Sequence, residues 1–282
     1  MRIARVGGPG REVPVLLDGD RILDLRGVTA DVTPEFLEHV LPTVTRSDLP
    51  ELQGAGELRF GPPITRPTAV ICVGMNYAKH AAESGAEPPT EPVVFLKHPN
   101  TVVGPDDPVP IPRGSTMTDW EVELGVVIGR RALYLDSPAD SPRHIAGYVL
   151  ANDVSERELQ LRTSGGQWSK GKCAPSFTPL GPWLVTPDEL DPGAVRLRSH
   201  VNGGARQDSR TSDLIFSVAD VVHRLSQFMA LEAGDLILTG TPEGVALSGR
   251  FPYLRPGDVV ELEGEGLGAQ RQEMVSAEGT TV

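Results

Sequence analysis

Glu121 and Glu123 stand two apart in the stretch DWEVELGVVIG, from Asp119 to Gly129. The run is rich in β-branched residues and apolar at every second position, so it reads as a β-strand. Successive strand side chains point to opposite faces, which puts Val122, Leu124, Val126 and Ile128 on one face. Glu121 and Glu123 share the other, about 6.6 Å apart along the strand. That second row continues as Gly125, Val127 and Gly129 rather than as Lys, Thr or Ser, so it does not read as a solvated face. A third acid, Asp153, closes the apolar run of HIAGYVLAND where the chain turns polar. Three carboxylates at the ends of core strands repel one another unless a cation sits among them. A hard divalent ion with oxygen ligands is the economical answer, and three protein ligands leave room for water and substrate, which suits Mg²⁺ or Mn²⁺ better than a caged Ca²⁺. The competing explanation is ordinary surface acid, in a chain with 38 Asp and Glu residues.

A base is available in GMNYAKHAAESG. Asn76 is placed to cap a short helix that Gly85 ends, and within it His80 and Glu83 stand at i and i+3 on one face. A carboxylate on one imidazole nitrogen fixes the tautomer and makes the other a better base; a plain surface His/Glu pair is the alternative. In GGQWSKGKCAPSF, Lys170 and Lys172 flank a glycine, and a lysine near a metal-bound oxyanion stabilises developing charge, unless both are simply solvated. In DLILTGTPEGV a strand runs into a Gly- and Thr-rich turn, where backbone N–H groups and the Thr241 hydroxyl are suited to a carboxylate. No P-loop, dinucleotide fingerprint, G-x-S-x-G or H-E-x-x-H accompanies these segments.

The elements that carry these groups are mostly strands. MRIARV, VPVLL and RILDL, followed by a helical stretch around TPEFLEHVL, form a small N-terminal α+β module over residues 1–60. A Gly- and Pro-rich segment, GAGELRFGPPITRPTA, reads as a linker into a larger domain over 67–282. That domain is β-like almost throughout, with an Asn202-Gly203 hairpin signal and an RPGD turn before the last strand. A sustained helical period is expected from Leu214 to Leu231, with Ile215, Val218, Val222, Leu225 and Met229 in one stripe. The expected class is a mixed, mainly β fold with a few packing helices. With 282 residues and 39% hydrophobic content the chain supports a substantial core. No run approaches the ~18 apolar residues of a membrane span, and the N-terminus alternates and turns where a signal peptide has an apolar core. Cys72 and Cys173 fit neither a disulfide framework nor a zinc site, so a cytoplasmic protein is expected. The net charge of −12 argues against nucleic acid and anionic lipid as partners.

Taken in order, VGMNYAKHAAE, VVFLKHPNTVVGPDDPV, DWEVELGVVIG, GYVLANDVSERELQ, QWSKGKCAPSFTPLGPWLVT and GDLILTGTPEGV resemble the fumarylacetoacetate hydrolase family from about Pro67 onward. The resemblance implies a rolled mixed β-sheet, a homodimer or larger homo-oligomer, and Mg²⁺- or Mn²⁺-dependent cleavage next to a 2-oxo acid group. It implies Glu121, Glu123 and Asp153 as metal ligands, and His80 with Glu83 acting on water from a lid over Tyr77 to about Pro88. Lys172 would contact substrate oxygens, with Arg157, Gln160, Gly240 and Thr241 at substrate-binding positions. NDVSERELQL, KGK and GPWLVT look most like the branch that hydrolyses 2,4-dioxo-3-deoxy sugar acids to pyruvate and a hydroxy acid. The alternatives on the same site are an oxaloacetate decarboxylase and an isomerase of an unsaturated dioxo acid; from another class, a non-catalytic binding protein that keeps the fold. After Lys172 the sequence departs from the family pattern, since CAPSF stands where Asp-Thr-Phe is usual and Pro175 supplies no carboxylate.

Overall fold

The computed structural model describes residues 1–54, 58–83, 85 and 87–277. Residues 55–57 of the Gly- and Pro-rich segment, and 84 and 86 of the expected lid, lie outside the described residues. One nine-stranded mixed sheet carries the site. Its strands are β1 (Arg2–Val6), β2 (Val13–Asp18), β3 (Arg21–Asp24), β4 (Val70–Gly74), β5 (Val93–Lys97), β6 (Val122–Ile128), β7 (Ile145–Asn152), β8 (Leu184–Val185) and β9 (Leu236–Leu238). They lie in the order β3-β2-β1-β8-β7-β6-β9-β4-β5. The three N-terminal strands thus extend the sheet that holds the acids, through the pairing of Arg2 with Val185. The Gly- and Pro-rich segment is fastened to them: Phe60 bridges Val6, and the Gly61 N–H donates to the Arg5 carbonyl at 2.8 Å.

β6 is buried along its whole length. Val122, Leu124, Val126 and Ile128 face a core shared with a second sheet and a helix, whereas Val127 packs on the opposite side with Val149, Leu184, Leu236 and the N-terminal Phe36 and Leu37. This explains the row that follows the two glutamates. A β-carbon on Gly125 would stand 2.7 Å from Val149 Cγ1, and one on Gly129 would stand 2.9 Å from Ala146 Cβ, so only glycine lets β7 close against β6 there.

The second sheet has five strands, with Arg196–Val201 and Gly204–Arg210 forming the expected hairpin through Asn202 and Gly203, both at positive φ as a type I′ turn demands. Two α-helices matter here, α1 (Ala78–Glu83) and α2 (Val218–Ser226). α2 is shorter than its apolar period predicts. Ser217 and Asp220 form a capping box that starts it, and the Ser226 carbonyl is taken by the Tyr134 N–H, so Ile215 and Met229 flank the helix instead of extending it.

Candidate active site

β7 pairs antiparallel with β6, Asn152 opposite Val122, and the ladder runs one step further as the Asp153 N–H donates to the Glu121 carbonyl at 2.9 Å. That register brings the three expected ligands together. One oxygen from each of Glu121, Glu123 and Asp153 falls within 4.8 Å of the others, and none of the three residues is more than 5% exposed. Glu123 is steadied by the Gly240 N–H at 2.8 Å, offered from the turn after β9. Gly240 sits at φ +105°, and a β-carbon there would lie 2.8 Å from Asn76 Cβ, so the turn needs glycine to approach this closely.

Three buried cations answer the acids. Lys172 Nζ donates to Glu121 Oε2 at 2.6 Å and to Asp153 Oδ2 at 2.7 Å. Arg157 Nη2 lies 2.7 Å from Glu121 Oε1, while Nε donates to Asp119 Oδ2 at 2.8 Å and Nη1 to Gln160 Oε1 at 2.9 Å. Lys97 Nζ binds Asp153 Oδ1, the Phe177 carbonyl at 2.6 Å and the Val154 carbonyl at 3.3 Å. Lys97 and Asp119 escaped the sequence reading, though period 2 held a signal for both. In VVFLK, Phe95 and Lys97 turn inward while Leu96 is half exposed, and Asp119 shares the row of Glu121 and Glu123. Of the two lysines beside Gly171, Lys172 is buried and Lys170 exposed. Gly171 allows this, because a β-carbon on it would fall 2.3 Å from the Glu156 carbonyl oxygen and 2.5 Å from Gln160 N. The departing segment CAPSF leaves Cys173 half-buried, accepting the His98 N–H at 3.2 Å, and Pro175 exposed.

The charges do not balance. Among the described residues, Asp119, Glu121, Glu123 and Asp153 supply four buried carboxylates against the three buried cations Lys97, Arg157 and Lys172. Burial would raise the Glu121 carboxyl, but Arg157 and Lys172 overcome it and hold that group well below the usual range. Glu123 goes the other way: burial, then Asp153 and Glu121, push it well above its ordinary value. A hard divalent cation fits this donor set, all carboxylate oxygen with one charge in surplus.

His80 is 5% exposed, and its Nδ1 lies 3.1 Å from Glu83 Oε1 on α1. Glu83 also accepts the Gly244 N–H at 3.0 Å and Arg250 Nη2 at 2.7 Å. Burial would raise this carboxyl too, but His80 and the Gly244 N–H hold it below its ordinary value. Asn76 does not cap α1. Its side chain donates to the Phe216 and Thr239 carbonyls at 3.0 and 2.8 Å and accepts the Phe216 N–H at 2.7 Å, pinning the start of the α1 segment to the end of β9 and to the segment that leads into α2. The Thr241 hydroxyl donates to the Val122 carbonyl at 2.9 Å and accepts Gln207 Nε2 at 2.7 Å, so its only proton is spent inside the protein. Glu121, Glu123, His80, Glu83, Lys172, Arg157, Gln160 and Thr241 all line one cavity of about 290 Å³, together with Val73, Met75, Phe95, Leu161, Trp168 and Leu247. Asp153, fully buried, is not on the cavity wall.

Residues 69–275 match the family model for the C-terminal domain of fumarylacetoacetate (FAA) hydrolase. The chain belongs to the fumarylacetoacetate hydrolase family. It is 44% identical over 279 residues to 2,4-didehydro-3-deoxy-L-rhamnonate hydrolase from Sphingomonas sp. (strain SKA58), which covers 97% of this chain and 96% of that protein. Its fold is similar to that of 2-hydroxyhepta-2,4-diene-1,7-dioate isomerase from Mycobacterium marinum, at TM-score 0.79 and 33% identity over 99% of this chain and 100% of the other. It is also similar to maleylpyruvate hydrolase from Sphingobium sp. SYK-6, solved with manganese(II) and pyruvate, at TM-score 0.80 and 25% identity over 98% and 99% of the two chains. The fold class expected from the sequence, mixed and mainly β, is the one these fumarylacetoacetate hydrolase-like structures share. Family membership makes the protein an enzyme of hydrolase type. Among the described residues no helix is long and apolar enough to cross a membrane.

Proposed function

We propose that the protein hydrolyses a C–C bond in a β-diketone 2-oxo acid, an acylpyruvate or a 2,4-dioxo-3-deoxy sugar acid, giving pyruvate and a second acid with Mg²⁺ or Mn²⁺ as cofactor. The observation that carries this reading is that Glu121 and Glu123 of the buried three-carboxylate cluster line the same small cavity as the His80–Glu83 pair, with Asp153 directly behind them. The metal, held by Glu121, Glu123 and Asp153, would supply Lewis acidity at the 1-carboxylate and 2-oxo oxygens. His80, oriented by Glu83, takes a proton from water, and the resulting hydroxide adds to the distal carbonyl carbon. The bond between that carbon and the adjoining methylene then breaks, its electron pair passing to the pyruvate fragment, which takes up a proton. Lys172 uses two N–H bonds on Glu121 and Asp153 and retains a third for the substrate oxyanion. Arg157 holds the Gln160 carbonyl oxygen, which leaves the amide NH₂ of Gln160 to donate into the cavity. Because the Thr241 hydroxyl is spent, a contact from the Gly240–Thr241 turn falls to the Thr241 backbone N–H. The α1 segment serves as the lid that shields this chemistry from bulk water.

A free Cys72 and a free Cys173 support a reducing, cytoplasmic setting. A homodimer or larger homo-oligomer is part of the same proposal. The test is a screen of the purified protein with Mg²⁺ or Mn²⁺ against acylpyruvates, 2,4-dioxo-3-deoxy sugar acids and oxaloacetate, reading pyruvate and CO₂ separately. Pyruvate release from a diketo acid is the expected result. Faster CO₂ release from oxaloacetate than cleavage of any diketo acid would replace the hydrolase with a decarboxylase, and double-bond migration without cleavage would replace it with an isomerase.

A further inference from the structure

The polar groups on the cavity wall are committed to the reacting end of the substrate or to one another. The Thr241 hydroxyl is saturated, Glu83 accepts from His80, Gly244 and Arg250, and Arg157 is spread over Asp119, Glu121 and Gln160. What remains of the wall, Val73, Met75, Phe95, Leu161, Trp168 and Leu247, is apolar apart from the indole N–H of Trp168. These residues extend outward from the carboxylates. Lys172 Nζ lies 5.1 Å from the centre of the Phe95 ring, and the Trp168 ring follows at 5.7 Å from Phe95, tilted by 57°. Trp168 rests against Gly74, where a β-carbon would fall 2.5 Å from the indole, so the end of β4 is shaped to admit that ring. Exposure rises along the path, from 1% at Lys172 and 9% at Phe95 to 45% at Leu161, which marks the mouth.

We infer that this wall selects the far end of the substrate: the site takes a 2,4-dioxo acid whose acyl tail ends in a methyl, longer alkyl or aryl group, and discriminates against one that ends in a hydroxymethyl group. The inference rests on the hydrolase reading above. A terminal hydroxyl brought against the Trp168 ring and Leu161 loses water and, among the described side chains of that wall, meets only the indole N–H as a polar group, whereas an alkyl or aryl end exchanges water for apolar contact. Pockets that discriminate in this way separate such pairs by about 10- to 100-fold in kcat/KM.

The experiment compares 2,4-dioxoheptanoate with 5,6-dihydroxy-2,4-dioxohexanoate, tails of similar length and opposite polarity, in the wild type, Trp168→Ala and Leu161→Gln. Expected is a preference of about 10- to 100-fold for the alkyl tail in the wild type, carried mainly by KM. Both variants should lose most of that preference, read as the ratio of kcat/KM for the two acids within each protein. Equal or better use of the hydroxylated acid by the wild type overturns the inference, as does an undiminished preference in both variants. Leu161 is exposed enough that its replacement tests the wall even where Trp168→Ala fails to fold. If neither acid is cleaved, the hydrolase reading fails, and calorimetric affinities of the same two acids for the same three proteins decide the wall separately.

Discussion

Replacing Glu83 with Gln tests the dyad with the least disturbance of shape. The carboxylate accepts from three donors: His80 Nδ1 at 3.1 Å, the Gly244 N–H at 3.0 Å and Arg250 Nη2 at 2.7 Å. A Gln amide keeps one acceptor oxygen, enough for the Gly244 N–H, but its NH₂ then faces either His80 or Arg250, both of which donate. The negative charge that stabilises an imidazolium on His80 is lost in either case. A hydrogen bond to a charged group is worth about 1.5–3 kcal/mol. At about 1.36 kcal/mol per tenfold in rate, kcat for diketo acid hydrolysis should fall by about 10- to 150-fold. KM should change little, since Glu83 stands on α1 and the carboxylate cluster on β6 and at the end of β7. Decarboxylation of oxaloacetate needs an electron sink rather than a water-activating base, so its rate should hardly move. Pyruvate formation coupled to NADH oxidation reads the first reaction and CO₂ release the second, with a thermal melt to confirm folding. Undiminished hydrolysis, or an equal loss in both reactions by a folded variant, would refute the assignment of the base.

Removing a ligand gives a different pattern: Glu121→Ala should abolish both reactions and the binding of Mn²⁺ in a calorimetric titration, whereas His80→Ala should keep the binding and lose about 10²–10⁴ in hydrolytic kcat. Gly171→Ala should cost about 1–3 kcal/mol of stability, measured by denaturant unfolding, because its β-carbon would meet Glu156 and Gln160, and it should lower kcat by shifting Lys172. The Glu83 carboxyl is held below its ordinary value, so its ionised form stabilises the native state above the unperturbed Glu pKa of about 4.3 and that contribution fades as pH falls through the depressed value. Thermal melts taken from neutral pH into acid should therefore show a shallower decline for Glu83→Gln than for the wild type.

Much of this site is written in short-range pattern. Period 2 alone puts Glu121, the residue before β6, on the same side as Glu123 within it, and the i, i+3 spacing alone puts His80 beside Glu83. What the sequence hides is set by distant pairing. Asn76 looks like a cap until Thr239 is brought to it by β9 lying beside β4, and Phe216 by the bridge between Tyr77 and Leu214. Arg250 reaches Glu83 across 167 residues, and Lys97 reaches Asp153 across 56, so neither contact has a local signature. The helix expected over 214–231 fails at both ends for the same reason, since Asn76 claims the backbone of Phe216 and Tyr134 claims the carbonyl of Ser226. The Thr241 hydroxyl is legible as a polar group in a turn, but its commitment to Val122 and Gln207 depends on the docking of two sheets.

The order of strands also bears on how the protein is made. The acids come from β6 and the end of β7, the dyad from the helix after β4, and the turn that fixes Glu123 and Glu83 from the chain following β9. β9 is inserted between β4 and β6, pairing parallel with one and antiparallel with the other, although it emerges long after both. A nascent chain that has released β7 already carries all three carboxylates, yet β6 and β4 cannot take their final spacing until β9 slides between them. Such non-local insertion is slow relative to hairpin formation. Competence to hold the ion therefore arrives late, and Mn²⁺ affinity followed during refolding would report completion of the sheet rather than formation of its first hairpins.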